Sequence, residues 1–452
     1  MQRLTSSTWI VFRAAFLLAA AVLIIWSQTY AYVGDEPFHL LAAKLINEGR
    51  TPYVDFFYQH PPLFIYVVAG LFRILGASWR AVHLLSALSV IGTIALFAGY
   101  ARDLFHDETL RWRNAALMPL LIGANCYVLV FATTGLPFGF CLLCLAAAVS
   151  FSRRTTSTGL FLTGLFAGAA SASSFLTAPA TVVLLVWLAR REKMKSLWFV
   201  AGATLAFLPL LILLALSPDK TFLDVLRYHF VDRPGLGWRF NLGQTVWFVA
   251  SLQGLTLIVP AIAAVWLRDD DDIRLCGWIV IALMVPIALA KTTFSFYFLV
   301  AIPFLGLLAA TGLNEVAQRS KGYSRLVMPL TVSFYLVGLF DLNYVWRWQA
   351  PYWDHRLVAT ATNEVERCAP SGNFYAPEAV YFEGRRLPPR GMENRFDPHS
   401  PGDELLRQGA FDAVLIDSRD PRIKGFQLSR YYRWIETSDF GASGMLILCD
   451  RR

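Results

Sequence analysis

About eleven apolar runs of membrane-spanning length dominate this chain. They lie near residues 9–30, 81–101, 114–131, 135–151, 159–174, 176–189, 196–216, 244–267, 275–290, 292–312 and 326–345. Runs of this kind cross a bilayer as helices, because hydrocarbon offers no partner to an open backbone. The rest of the composition agrees. Of 452 residues 56% are hydrophobic and only 16% charged, and the mean hydropathy is +0.48, which is too apolar for a soluble protein of this length. The net charge of +8 does not point to nucleic acid, because much of the Lys and Arg gathers in short clusters between apolar runs, as the positive-inside rule describes. The expected fold class is an all-α polytopic membrane protein with about 11 transmembrane helices.

The run at 63–76 decides the orientation of everything after it. At about 14 residues, with Arg73 inside it, it is short for a crossing. If it does not cross, Arg3 and Arg13, Arg111 and Arg113, Arg153 and Arg154, the stretch ARREKMK at 189–195 and QRSKGYSR at 318–325 all fall on one side, as cytoplasmic loops should. The segment is therefore expected to be interfacial or re-entrant. The first run, preceded by Arg3 and Arg13, resembles a signal peptide but lacks a small-residue cleavage site and is expected to remain as a span.

This topology gathers three features outside the cytoplasm: a first external loop at 31–80, a second at 217–243, and a tail at 351–452. The transmembrane domain would occupy 1–350. In the tail, NFYAPEAVYFEG, FDAVLIDS and GMLILCD read as strands of a small extracytoplasmic α/β domain. Cys368 and Cys449 lie near its two ends, open between a disulfide and two thiols. Cys126, Cys141, Cys144 and Cys276 sit in apolar runs, where cysteine behaves as a small hydrophobe. Gly164-x-x-x-Gly168 is a helix-packing signal. Neither a G-x-G-x-x-G nor a G-x-x-x-x-G-K-[ST] occurs in a suitable context.

The stretch VGDEPFHLLAAKLINEGRTPYVDFFYQHPPL, residues 33–63, follows the first run directly. Phe38, Leu41, Ala42, Leu45 and Ile46 share a helical face, with Pro37 near its start and Gly49 at its end, so an amphipathic helix lying on the membrane surface is expected. A structural account of the acids is at hand, with Asp35 as N-cap and Glu36 in the first turn. A catalytic account stands beside it: Asp35 sits at a membrane–water boundary, Asp55 and His60 follow within about 25 residues, and a partly desolvated carboxylate suits a general base.

The order of long first helix, Gly34-Asp35-Glu36, amphipathic helix and His60-Pro61-Pro62-Leu63 resembles the polytopic GT-C glycosyltransferases, in particular the group of protein O-mannosyltransferases and the lipid A aminoarabinose transferase. KTTFSFYFLVAIP at 291–303 is similar to the Lys-to-Tyr-to-Pro entry of a late helix in those enzymes. The resemblance implies transfer of a sugar, with inversion, from a polyprenyl-phosphate donor to a lipid, glycan or protein acceptor at the periplasmic face of the inner membrane. Asp35 would be the base and Glu36 an orienting or acceptor-binding group. Glu36, one residue on, projects about 100° away and cannot serve the same atom.

For the donor phosphate, the candidates are Lys291, Arg227, His229 and Arg233, since guanidinium and ammonium groups suit phosphate oxygens; attraction to lipid headgroups explains the same cluster equally well. Asp55, His60, Arg80 and His83 are candidates for positioning the loop or substrate. No cofactor is assigned, the lipid-linked sugar donor being a substrate, and a divalent metal stays open. The DDDD run at 269–272 falls on the cytoplasmic side and is read as a solvated loop. The main competing class is a transporter or flippase, which would carry ionisable groups at helix midpoints and two related halves. An O-antigen ligase type of enzyme would place its large external loop late, and a non-catalytic receptor would leave the Asp-Glu and His-Pro-Pro unexplained.

Overall fold

The structure, a computed structural model, describes residues 2–29, 32–320, 324–341, 355–417, 420–428, 431–435 and 445–451. It divides into two compact units. One comprises residues 1–29, 82–211 and 229–346, the other residues 30–81, 212–228 and 347–452. The expected domain boundary near 350 lies outside the described residues.

The first four helices are α1 (Gln2–Ser27), α2 (Glu36–Asn47), α3 (Leu63–Leu75) and α4 (Trp79–Asp103). At one end of the helical unit Trp112 meets both the Trp9 ring of α1, 6.5 Å away, and the Arg102 guanidinium of α4, at 5.9 Å. At the other end the buried His83 places Nδ1 2.7 Å from the Ser27 carbonyl oxygen. α1 and α4 are therefore antiparallel, and the chain between them leaves and returns at the same end. α3, with 13 residues, lies in that connection and is among the apolar helices too short to count as a span.

Each apolar run forms helix wherever it is described. Among the described residues five helices are long and apolar enough to cross a membrane, or six if the pair Trp238–Ala250 and Leu252–Leu267, bent by 72°, is one span; four other apolar helices, α3 among them, are shorter. The count is below eleven because several runs break. The run at 114–131 stops at Gly123 and restarts at Cys126, where the Asn125 side chain accepts from the Tyr127 and Val128 N–H groups. Buried Gln253 completes that break: its Oε1 accepts from the Cys126 N–H and its Nε2 donates to the Ala124 carbonyl, both at 2.9 Å. Exposed polar backbone inside the unit is thus satisfied by side chains rather than by helix continuation.

Close helix packing rests on small residues, as Gly164-x-x-x-Gly168 suggests. A Cβ on Gly164 would strike the Phe199 backbone, one on Gly168 the Ala203 backbone, and one on Gly202 the Phe161 backbone, so Ser157–Ser171 and Leu197–Leu216 run nearly backbone to backbone. The basic loops gather by ion pairs: Arg153 reaches Asp103 at 3.5 Å and Asp272 at 3.1 Å, while Arg268 reaches Asp270 at 3.1 Å and Glu315 at 3.6 Å. Within the DDDD run, Asp270 caps the helix Asp271–Leu289 through the Asp272 N–H.

In the second unit a four-stranded sheet has the order β1 (Phe374–Tyr375), β2 (Ala413–Asp417), β4 (Met445–Arg451), β3 (Tyr432–Ile435). β1 pairs parallel with β2, and the other pairings are antiparallel. Leu406, Phe411, Val414 and Ile416 form its core with Ile423 and Leu428. The strand expected over NFYAPEAVYFEG is corrected: only Phe374 and Tyr375 pair, and Glu378–Glu383 is helical, starting after Pro377 and fastened by the Tyr381 hydroxyl to the Phe374 carbonyl. β3 was not foreseen. Cys368 and Cys449 are disulfide-bonded.

α2 is also not the half-exposed surface helix expected. Glu36 to Ala43 and Leu45 are all buried, because α3 covers one side and the helix Glu378–Glu383 of the tail another. The Lys44 ammonium donates to the carbonyls of Tyr381, Phe382 and Gly384 at 2.9, 3.0 and 2.7 Å, capping the end of that helix.

The antiparallel course of α1 and α4 makes a topological prediction. Single cysteines replacing exposed Ala77 and Thr155 are to be probed with a membrane-impermeant thiol reagent on intact and permeabilised cells; the four native free cysteines are buried. Cysteine 77 should label in intact cells and cysteine 155 only after permeabilisation. The reverse pattern, with cysteine 155 labelled in intact cells and cysteine 77 only after permeabilisation, would mean that α3 crosses.

Candidate active site

The site begins at the first turn of α2. Asp35 occupies the N-cap position, with φ −88°, but its side chain makes no capping hydrogen bond. Glu36 closes the turn instead: fully buried, it turns its carboxylate back to accept from the Val33 N–H at 3.1 Å. Fully enclosed, the Glu36 carboxylate presents no surface of its own. The capping account of Asp35 fails on geometry, and its carboxylate is directed elsewhere. Asp35 Oδ1 receives the Arg395 guanidinium at 3.2 Å, with the Asp35 side chain 43% exposed. Pro37, Phe38, Pro377 and Ala379 line the cleft around the pair, giving the carboxylate a partly apolar surrounding.

The loop behind this cleft is set by aromatic packing and short polar contacts. The His60 ring stacks on Phe38, with centroids 5.8 Å apart and planes at 10°. Tyr53 holds a left-handed backbone, φ 63°, and its hydroxyl donates to the His60 carbonyl at 2.6 Å, pinning the start of His-Pro-Pro. A positive φ on a non-glycine residue is costly and persists only where its surroundings enforce it. His39, buried, has Nδ1 2.8 Å from the Tyr58 hydroxyl; burial pushes its imidazole down to about 3, so it is neutral at physiological pH. Asp55 accepts from the Thr51 N–H at 2.8 Å and holds its own turn. Arg80 lies over the Trp79 ring at 4.4 Å, and His83 is a buried partner of the Ser27 carbonyl.

Of the four phosphate candidates, Arg227 belongs to the second unit, while His229, Arg233 and Lys291 belong to the helical one. All but Lys291 lie on or just after the π-helix Leu223–Asp232. Within the helical unit, Arg233 and Lys291 come to one corner: Arg233 donates to the Tyr297 hydroxyl at 3.3 Å, and the Lys291 ammonium to the Val231 carbonyl at 2.9 Å. Asn241 fixes the Lys291 turn by donating to the Ala290 carbonyl at 2.8 Å and accepting from the Thr293 N–H at 2.9 Å. Two cations on a turn braced by side-chain hydrogen bonds can receive an anion such as a phosphate. Among the described residues no group of three His, Cys, Asp or Glu side chains is placed to hold a metal ion.

Two acids and one base escaped the sequence reading. Asp224 lies in the second loop, noticed only for its cations; burial pushes its carboxyl up to about 7, aided by Asp397 and opposed by the Tyr58 N–H, which it accepts at 3.4 Å. Glu378, buried, accepts from the Arg395 N–H at 2.8 Å. Arg395 is 360 residues from the carboxylate that it meets, and only the Arg-rich character of the tail hinted at it.

These features define a multi-pass membrane protein with an α/β domain in its tail and a paired carboxylate at the start of its second helix. Its fold is that of ArnT: the chain superposes on the crystal structure of ArnT from Cupriavidus metallidurans bound to undecaprenyl phosphate with a TM-score of 0.70, at 13% identity over 97% of both chains. The apo structure of the same protein gives 0.70 and 14% identity over 98% of both chains. No family model and no curated protein matches the chain.

Asp224 carries a pH prediction. A carboxyl whose folded-state value is raised from about 3.9 to about 7 contributes stability that is complete below the lower value and is lost as pH rises through the upper. Asp224→Asn should raise the melting temperature of the detergent-purified protein at pH 8 and leave it nearly unchanged at pH 4. An equal shift at both pH values would mean that protonation of Asp224 does not contribute.

Proposed function

We propose that this protein is an integral-membrane glycosyltransferase that moves a sugar from a polyprenyl-phosphate donor to an acceptor hydroxyl at the periplasmic face of the inner membrane, with inversion. One observation carries the reading: Asp35 stands at a helix start without capping it, its carboxylate held in a partly apolar cleft by an arginine. A structural aspartate at that position would turn to the backbone N–H groups behind it. The fold shared with an ArnT structure that holds undecaprenyl phosphate supports a polyprenyl-phosphate donor, and the absence of a nucleotide-cradling motif from the sequence agrees with it.

The chemistry assigned is a single displacement. Asp35 takes the proton of the acceptor hydroxyl as the acceptor oxygen bonds to the anomeric carbon. The bond from that carbon to the phosphate oxygen breaks, and its electron pair leaves with the polyprenyl phosphate. Lys291 and Arg233 of the helical unit stay the candidates for the donor phosphate, with Tyr297 orienting Arg233, and Glu36 is assigned to fixing the first turn of α2. Held donors that meet developing charge without reorganising are the main electrostatic source of such acceleration.

Transfer of radiolabelled sugar from a panel of polyprenyl-phosphate donors tests this reading. Asp35→Asn should lower kcat by about 10² or more, the scale of a lost general base, with donor binding retained. Lys291→Ala and Arg233→Ala should lower donor affinity as well as kcat. Turnover of no donor, with donor binding unaffected by Asp35→Asn, would move the chain to the transporter class.

A further inference from the structure

The tail meets the first external loop along four consecutive residues. Glu393 is ion-paired with Arg50. Asn394 donates to the buried Gln59 amide oxygen at 2.9 Å, Arg395 reaches Asp35, and the Phe396 ring stands edge-on to Phe38 with centroids 6.1 Å apart. Such density on one short stretch fixes its register against the loop. The arginine itself is set from two further directions, its backbone N–H donating to buried Glu378 and its guanidinium lying over the Phe396 ring at 4.7 Å.

We propose that Arg395 is the positioning residue of the catalytic carboxylate, so that the C-terminal domain completes the active site rather than merely covering it. The inference rests on Asp35 being the general base. The guanidinium takes Oδ1, and Oδ2 has no hydrogen-bond partner among the described residues. One carboxylate oxygen is anchored while the other is left to receive the acceptor proton. A carboxylate on a first-turn residue that makes no capping bond would otherwise rotate about χ1 and χ2, and a general base must meet its proton within hydrogen-bonding distance. An ion pair as exposed as this one, with the arginine side chain at 46%, adds little to stability. Its effect therefore lies in geometry.

The test compares wild type, Asp35→Asn, Arg395→Gln, Arg395→Lys and the double variant Asp35→Asn/Arg395→Gln, all as full-length protein with melting temperatures checked. Arg395→Gln should lower kcat by roughly 10- to 10²-fold, the scale of a misplaced catalytic group, with donor KM and melting temperature unchanged. Arg395→Lys should recover much of the loss. In the Asp35→Asn background Arg395→Gln should cost little more, since groups that act as a unit are not additive. A loss that adds in full to that of Asp35→Asn, or a wild-type kcat in Arg395→Gln, overturns the proposal.

A second measurement is independent of turnover: modification of Asp35 by a water-soluble carbodiimide and an amine, followed by peptide mass spectrometry. It should run severalfold faster in Arg395→Gln than in wild type and stay slow in Arg395→Lys. Unchanged labelling overturns the proposal whatever the activity. Wild-type transfer by Asp35→Asn would overturn the base assignment, and the labelling rates would still show whether the pair exists.

Discussion

The Lys44 ammonium, aimed at the three carbonyls that end a helix of the tail, is the contact on which the second unit depends. Those carbonyls have no helical partner of their own, and α2 has no other use for a lysine on its buried side. Burial holds the ammonium below the ordinary lysine range, while Glu48, Glu383 and Glu366 oppose that shift. Removing Lys44 would leave three buried acceptors unsatisfied at once, the costly side of hydrogen bonding in an interior. With that helix fixed on α2, Glu378 is in place, Glu378 holds the backbone of Arg395, and Arg395 holds Asp35. A chain of individually ordinary contacts thus runs from a helix cap to the candidate base.

Hydrocarbon imposes the second constraint. Inside the helical unit each interruption of a helix has to find its own hydrogen-bond partners, which is why Asn125 and Gln253 gather around one break. The bundle otherwise depends on small residues that let helices touch, since apolar side chains gain little by leaving lipid for protein. Water exclusion, the usual organiser of a core, acts mainly in the second unit, where Phe411, Val414 and Ile416 build one in the ordinary way.

Local features were legible in the sequence and cooperative ones were not. The apolar runs announced their helices because hydropathy over some twenty residues is a local property. Gly34-Asp35-Glu36 and His60-Pro61-Pro62 announced the loop that carries the site. The break at Asn125 was hidden because one polar residue in an apolar run has no meaning until Gln253, 128 positions on, meets it. The second face of α2 was misjudged for the same reason: the helix that covers it comes from residues 378–383. Arg395 was illegible altogether, since nothing in its neighbours distinguishes it from the other arginines of the tail, and Asp224 was passed over because the eye in that loop went to its cations.

The disulfide between Cys368 and Cys449 spans 81 positions, and residues 393–396, which meet the first loop, lie inside the ring it closes. In the chain-entropy picture, a ring of that size removes about 4–5 kcal/mol of freedom from the unfolded tail. The stretch that meets Asp35 is therefore carried on a closed ring rather than on a free tail, which narrows what the unfolded chain can explore more than it adds any contact to the fold.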